Sequence, residues 1–195
     1  KLVDAPPHRQ SLEQIAPMAR DFDLCVLHTS TPSFASDVKV AERLKAENPN
    51  LKIGMIGAKV AVQAEESLRD APVIDFVARN EFDFTIKEVA EGRDWSGIKG
   101  LSWRNRDGVL VHNPERPVLE DMDALPFVSP VYKRDLDYTK YFIGYLKHPY
   151  VSLYTGRGCK SRCTFCLWPQ TVGGPRYRTR SVGHVIEEIR YIQAN

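Results

Sequence analysis

Apolar runs in this chain are only a few residues long, and no basic stretch followed by an apolar one opens it, so neither a membrane span nor a leader is written in the sequence. Charge of one sign is missing too. With 27 basic and 25 acidic residues the net charge is +2, too small for a general basic field that would hold nucleic acid, and arginine is enriched only between residues 156 and 180. Internal repeats and low-complexity tracts are absent. Cysteine is scarce: four in 195 residues, three of them within eight positions. An odd number in one loop argues against a disulfide framework, and Cys25, inside an apolar segment, reads as a small buried thiol. What is present, 43% hydrophobic and 27% charged residues, suits a globular protein of one or two domains with a core of its own. The opening "KLVDAPP" carries no methionine and suggests a piece of something longer.

Patterning divides the chain into three regions. Over residues 1–95 short apolar runs alternate with helical patterns: "KLV", "SLEQIAPMARDF", "DLCVLHTS", "SDVKVAERLKAEN", "LKIGMIG", "VQAEESLRD", "VIDFVA" and "FDFTIKEVAEG". Strand then helix, repeated, predicts an α/β domain with a parallel sheet covered on both faces. Ser11 with Gln14 forms a capping box for a helix that Pro17 kinks or delays. Asn48 and Pro49 end the next helix and Gly92 the last. In residues 96–148 "GLSWR" and "VLVHN" flank "NRDG" as a hairpin, and Pro114, Pro117, Pro126 and Pro130 then punctuate an extended connection, which makes this region a hairpin-bearing linker. From 149 to 195 a strand at "YVSLYTG" leads through the cysteine loop into a helix starting at Ser181. Val182, Val185, Ile186, Ile189 and Ile192 fall on one face of that helix.

"GRGCKSRCTFC", Gly156 to Cys166, holds the chemistry. Structural zinc wants four protein ligands and would have to recruit His184 or another partner, and a catalytic cysteine would leave two thiols unexplained. A 4Fe-4S cluster fits the count better. Each thiolate binds one iron, so Cys159, Cys163 and Cys166 hold three irons and leave the fourth to a ligand that is not protein. Gly156 and Gly158 let the backbone turn tightly there.

The C-x3-C-x2-C spacing, after an apolar strand and ahead of a helix, resembles the signature of the radical S-adenosylmethionine (SAM) superfamily. That resemblance implies that the open iron binds the amino and carboxylate groups of S-adenosyl-L-methionine, that one-electron reduction cleaves it to a 5'-deoxyadenosyl radical, and that residues 149–195 are the first βα unit of a partial TIM barrel. Phe165 matches the family's aromatic residue against the adenine; simple loop packing is its other reading. Lys160 and Arg162 offset the negative cluster, or are only solvated. A barrel needs several more such units, so the chain by itself is expected to be an inactive fragment.

The carboxyl ends of the predicted strands read "HTSTPS", "IGAKVA" and "RNEFD", at the edge where a parallel sheet binds ligands. These stretches resemble the Rossmann-like cobalamin-binding domain that precedes the cluster domain in one class of radical SAM enzymes. Ser30, Thr31 and Ser33 match its hydroxyl-rich loop, Gly57 and Ala58 its Gly-Gly turn, and Glu81 the glutamate of its Gly-Glu-Gly-Glu stretch. Ala58, Asn80 and Phe82 stand where glycine is usual, and Val60 where histidine is common. A plain doubly wound domain with polar loop ends is the other reading. The first strand of such a domain is expected before Lys1.

"GAKVAV", "IDFVARNEFDFTIKEVAEGR" and "CTFCLWPQTVGG" followed by "RYRTRS" look like the hopanoid-biosynthesis-associated proteins of the HpnJ type. This narrower resemblance implies an enzyme that contracts the ring of a hopanoid-linked sugar to the cyclitol ether of bacteriohopanetetrol, with cobalamin-dependent C-methylation as the alternative chemistry. It further implies a small-molecule or lipid-linked sugar substrate, an external electron donor such as flavodoxin or ferredoxin, no nucleic acid, and a cytoplasmic place with peripheral contact at the inner membrane surface. Trp168, Gln170, Arg176, Tyr177, Arg178 and Arg180 are candidates to face substrate or SAM. A corrinoid-binding module with a structural metal site is the non-enzymatic alternative.

Overall fold

The computed structural model describes residues 1–167 and 173–195. In chain order the elements are α1 (Ala5–His8), α2 (Leu12–Ile15), β1 (Leu24–His28), α3 (Phe34–Glu47), β2 (Lys52–Ile56), α4 (Ala58–Val62), α5 (Ala64–Asp70), β3 (Phe76–Ala78), α6 (Asp83–Ala90), β4 (Leu101–Arg104), β5 (Leu110–His112), α7 (Ser129–Asp135), β6 (Gly156–Arg157), β7 (Arg178–Thr179) and α8 (Val182–Ala194). They fall into two compact units. One comprises residues 1–15, 120–157 and 178–195, and the other residues 16–119 and 158–177.

The second of these units is an α/β domain around a five-stranded sheet in the order β1-β2-β3-β4-β5. β1, β2 and β3 run parallel, joined by α3 and by α4 with α5, as the alternation of apolar runs and helical patterns predicts. Asp75 closes the amino end of this parallel half. Its carboxylate accepts the Ile53 amide at 2.8 Å and pairs with Lys45 at 3.0 Å. α3 ends at Asn48, before Pro49, and the Asn48 side-chain amide donates to the carbonyls of Ala19 and Phe22 at 3.0 Å each.

The hairpin that the sequence places in a linker instead extends the sheet. β4 pairs antiparallel with β3, with Phe76 opposite Trp103, Val77 opposite Ser102 and Ala78 opposite Leu101. The sheet is therefore mixed. That register stacks Phe76 edge-on against Trp95 at 5.2 Å and Trp95 against Trp103 at 5.7 Å, over a cluster of Phe76, Val89, Ile98 and Leu101. Burying Phe76 alone contributes about 2 kcal/mol. Arg79 then secures the junction: its guanidinium donates to the carbonyls of Leu101 at 3.3 Å and Asn113 at 2.5 Å and to the Ser102 hydroxyl. Burial lowers the Arg79 pKa and Glu115 opposes that shift, but an arginine remains charged.

In the other unit Gln14 accepts the Ser11 amide at 2.7 Å, one half of the expected capping box; the 3-10 turn over Ala16–Asp21, which contains Pro17, already belongs to the sheet unit. Two expected strands do not form. Residues 1–3 are irregular, and along residues 151–154 there is no ladder, so "YVSLYTG" contributes only Gly156–Arg157, paired antiparallel with Arg178–Thr179. A strand exists through its partner, and among the described residues none lies beside 151–154. α8 begins at Ser181, whose hydroxyl accepts the His184 amide at 3.2 Å.

Gly54 sits beneath Phe76: a Cβ there would meet the ring at 2.1 Å. Gly54→Ala is expected to cost about 1–3 kcal/mol in urea denaturation. Combined with Phe76→Leu, it should cost less than the sum of the two single variants, because the shorter side chain vacates that space.

Candidate functional site

Parallel pairing brings the carboxyl ends of β1, β2 and β3 to one edge of the sheet, and the candidate ligand loops lie there. In the first loop Ser33 Oγ accepts the Ser30 amide at 3.0 Å and lies 2.8 Å from Ser30 Oγ, while Thr31 is exposed. Gly57 follows β2 at φ +112°, and a Cβ there would sit 2.1 Å from the Thr29 carbonyl oxygen. Its glycine is thus demanded by the neighbouring backbone. Ala58 is half-buried and opens α4, where no positive φ is needed. Asn80 has φ +54°, the left-handed conformation that asparagine tolerates best after glycine, which explains how it replaces one.

Two residues at this edge face inward. Val60 is fully buried, so it belongs to the core and not to a corrinoid-facing surface. Glu81 is buried, and its carboxylate accepts the Leu119 amide at 2.7 Å. Its role in the structure is to fasten the chain after the hairpin.

Cys159 and Cys166 are half-buried, Cys163 is exposed, and none is in a disulfide. Gly158, at φ +87°, has no room for a Cβ, which would lie 1.9 Å from the Arg176 carbonyl oxygen. The Cys159 amide donates to the Gly174 carbonyl at 3.2 Å, and the Cys166 amide to the Cys163 carbonyl at 3.1 Å. Phe165 projects outward, 90% exposed. The donor set suits an iron-sulfur cluster, three free thiols on one loop, although among the described residues no three His, Cys, Asp or Glu side chains converge as a metal site. Trp168 and Gln170 lie outside the described residues. His184, the candidate fourth zinc ligand, has its Nδ1 at 3.0 Å from Arg180 Nε and 3.2 Å from Asp123.

The arginines after the loop divide. Arg176 and Tyr177 are exposed, whereas Arg178 is buried. Arg180 is also turned inward: Nη1 meets the Glu188 carboxylate at 2.5 Å, with only 8% and 1% of the two side chains exposed. Glu188 receives in addition the Ser129 hydroxyl at 2.6 Å and the Val128 and Ser129 amides at 3.2 Å each, which satisfies the open amino end of α7. Arg178 and Arg180 therefore do not present charge to a lipid or substrate surface. On α8 the buried position is Glu188, while Val182, Ile186 and Ile189 of the expected apolar face are exposed. A signal was present in the sequence: Glu188 stands three residues after Val185 and four before Ile192, an acid inside an apolar stripe.

Burial pushes the Glu188 carboxyl up, but the Ser129 hydroxyl, the Arg180 guanidinium and the Ser129 amide outweigh it and hold the group below its usual range. A depressed carboxyl contributes stability above its unfolded value of about 4.3, and loses it as pH falls through the folded value. Glu188→Gln is accordingly expected to cost about 3 kcal/mol near pH 7 and much less at pH 3, read from denaturation curves at the two pH values. Gly57→Ala should cost about 1–3 kcal/mol with no ligand present, while Ala58→Gly changes stability by less than about 1 kcal/mol. Thermal melts of the ligand-free chain check both.

No family model matches the chain. It is 33% identical over 199 residues to the uncharacterized methyltransferase PH0819 of Pyrococcus horikoshii, an alignment covering 97% of this chain and 41% of that protein. Among solved structures it resembles the radical SAM methyltransferase TsrM from Kitasatospora setae, determined with cobalamin and a [4Fe-4S] cluster bound, with a TM-score of 0.68 at 16% identity over 98% of this chain and 39% of that one. It also resembles OxsB, a cobalamin-dependent S-adenosylmethionine radical enzyme determined with aqua-cobalamin and S-adenosylmethionine bound, with a TM-score of 0.71 at 19% identity over 97% of this chain and 26% of that one. The chain thus spans less than half the length of each of these proteins. At such identities the two structural likenesses are likenesses of fold: this chain has the α/β fold of the matching part of two radical SAM proteins.

Proposed function

We propose that the chain is part of a cobalamin-dependent radical SAM enzyme that transfers a methyl group to carbon. One observation carries this reading: three free thiols, Cys159, Cys163 and Cys166, share one loop in a chain that folds like TsrM and OxsB. The thiolates would each hold one iron of a 4Fe-4S cluster and leave the fourth iron to S-adenosyl-L-methionine. When bound, the cluster supplies the electron that cleaves SAM, and the corrinoid supplies a methyl carrier.

The chain's own residues hold and orient these groups. Exposed Phe165 offers a ring face to the adenine. Lys160 and Arg162, both exposed, offset the cluster's negative charge. At the sheet edge Thr31, Ser30 and Ser33 offer hydroxyls, and Gly57 and Ala58 keep the second loop low enough for a large ligand to approach. Glu81 is engaged by Leu119 and adds less there. The cleavage needs an external electron donor such as flavodoxin or ferredoxin, and free thiols suit a reducing compartment. Among the described residues no helix is long and apolar enough to cross a membrane.

Ring contraction of a hopanoid-linked sugar is the second reading. It rests on the likeness of "GAKVAV" and "CLWPQTVGG", yet Val60 is buried and residues 168–172 lie outside the described ones. Methyl transfer is favoured because the relative in Pyrococcus horikoshii is itself named a methyltransferase.

Reconstitution with iron and sulfide should give the broad visible absorption of an iron-sulfur cluster and about four irons per chain. Alanine at Cys159, Cys163 or Cys166 should abolish it, and Cys25→Ala should not, since burial pushes the Cys25 thiol up and away from metal-binding thiolate. In the complete reduced enzyme, a product one methyl group heavier together with S-adenosylhomocysteine supports methyl transfer. An isomerised product of unchanged mass overturns it in favour of ring contraction.

A further inference from the structure

Residues 158–177, which carry the three cysteines, contain Lys160, Arg162 and Arg176 and no aspartate or glutamate, in a chain whose 25 acids nearly balance its 27 bases. The positive charge of this stretch is therefore not answered from within it. The three thiols are also placed unequally. Cys159 and Cys166 are half-buried, whereas Cys163 is exposed. Lys160 stands three positions before Cys163 and Arg162 one, and both are exposed, as are Ser161 between them and Thr164 after the cysteine. The thiol that solvent reaches is the one beside two exposed cations.

Cations beside an anionic cluster act in two separable ways. Through the cluster they raise its potential, which every reductant feels alike. Toward solvent they attract whatever approaches with negative charge, an effect on encounter that salt removes. The reading above needs electrons from outside the chain, one at a time. Electron transfer weakens steeply with distance, so a donor protein gains by landing where a ligand of the cluster is exposed.

We propose that Lys160 and Arg162 form the landing surface for an acidic one-electron carrier protein, which docks over exposed Cys163. This rests on the cluster proposed above. In the encounter one electron passes from carrier to cluster: the carrier is oxidised by one electron, the cluster is reduced by one, and no bond forms or breaks. Contacts of this kind are small and transient, and charge sets their rate of formation more than their strength. Nucleic acid is the other polyanion that such a pair attracts, and the net charge of only +2 disfavours it.

The test uses the 195-residue chain reconstituted with iron and sulfide, with reduced flavodoxin, an acidic flavoprotein, as the probe. Stopped-flow bleaching of the cluster gives the second-order rate constant at about 50 mM and about 500 mM salt. The Lys160→Glu/Arg162→Glu double variant should lower that constant about tenfold or more at low salt and less than about threefold at high salt. Reduction by photoreduced 5-deazaflavin, a small molecule that needs no landing surface, should stay within about twofold of the parent. Lys39→Glu, at an exposed lysine of α3, should leave both rates unchanged. Equal rates in parent and double variant overturn the proposal. So does a double variant slowed equally toward both reductants, since the two cations then act through the cluster. Tighter binding of a single-stranded RNA than of flavodoxin also overturns it, in favour of nucleic acid. Titration of oxidised flavodoxin onto the iron-free chain needs no cluster. A dissociation constant weakened about tenfold in the double variant at low salt supports the landing surface, and equal constants or no binding by the parent overturn it. A parent that takes up no iron sinks the cluster reading. In that case, or if only the double variant takes up none, the titration decides on the landing surface by itself.

Discussion

A carboxylate that is 1% exposed must be answered by hydrogen bonds or it will not remain buried, and Glu188 is answered by Ser129, Val128 and Arg180 together. Each answer constrains something else. The Ser129 and Val128 amides set where α7 can begin, and the Arg180 guanidinium draws the end of β7 toward Tyr154. Beside that contact the ladder of β6 with β7 pairs Gly156 with Thr179 and Arg157 with Arg178. Removing the charge leaves a buried guanidinium without its counter-ion, which is worse than never having had the pair.

In the sheet unit the comparable constraint is backbone proximity. Gly57 and Gly158 resemble ligand-binding glycines in sequence, but at each the excluded volume belongs to the protein itself, the Thr29 carbonyl in one case and the Arg176 carbonyl in the other. A glycine forced by neighbouring backbone also keeps that backbone low and open to a large ligand, so packing and binding ask for the same residue. Asn80 shows the converse. A left-handed position usually filled by glycine accepts asparagine because its short polar side chain tolerates that conformation, here with its amide 3.0 Å from Glu115.

The mixed sheet places that edge. Arg79, buried behind β3, ties Leu101, Ser102 and Asn113 to the end of the third strand. The hairpin thereby continues the sheet on the far side of β3 from β2, and the parallel half keeps its carboxyl ends together. Likeness of fold to TsrM and OxsB agrees with this arrangement across nearly the whole chain.

Much of the parallel half was legible in the sequence. Apolar runs at 24–27 and 51–56 and the helical spacing of 36–48 each reflect local periodicity, and they appear as β1, β2 and α3. The loop with three free thiols was legible for a similar reason, because their number and spacing are written in one short stretch. The hairpin's partner, the inward turn of Arg180 and Glu81, and the burial of Glu188 beneath an otherwise apolar stripe were not. Each depends on residues 8 to 59 positions away, and alternation or charge along a strand or helix does not name the group it will meet. By itself the sequence determined the strands and helices of the parallel half and the close spacing of three cysteines in one loop, since those follow from neighbours along the chain. Only the tertiary structure decided which charges are buried and which backbones touch, because both depend on what the fold brings beside them in space.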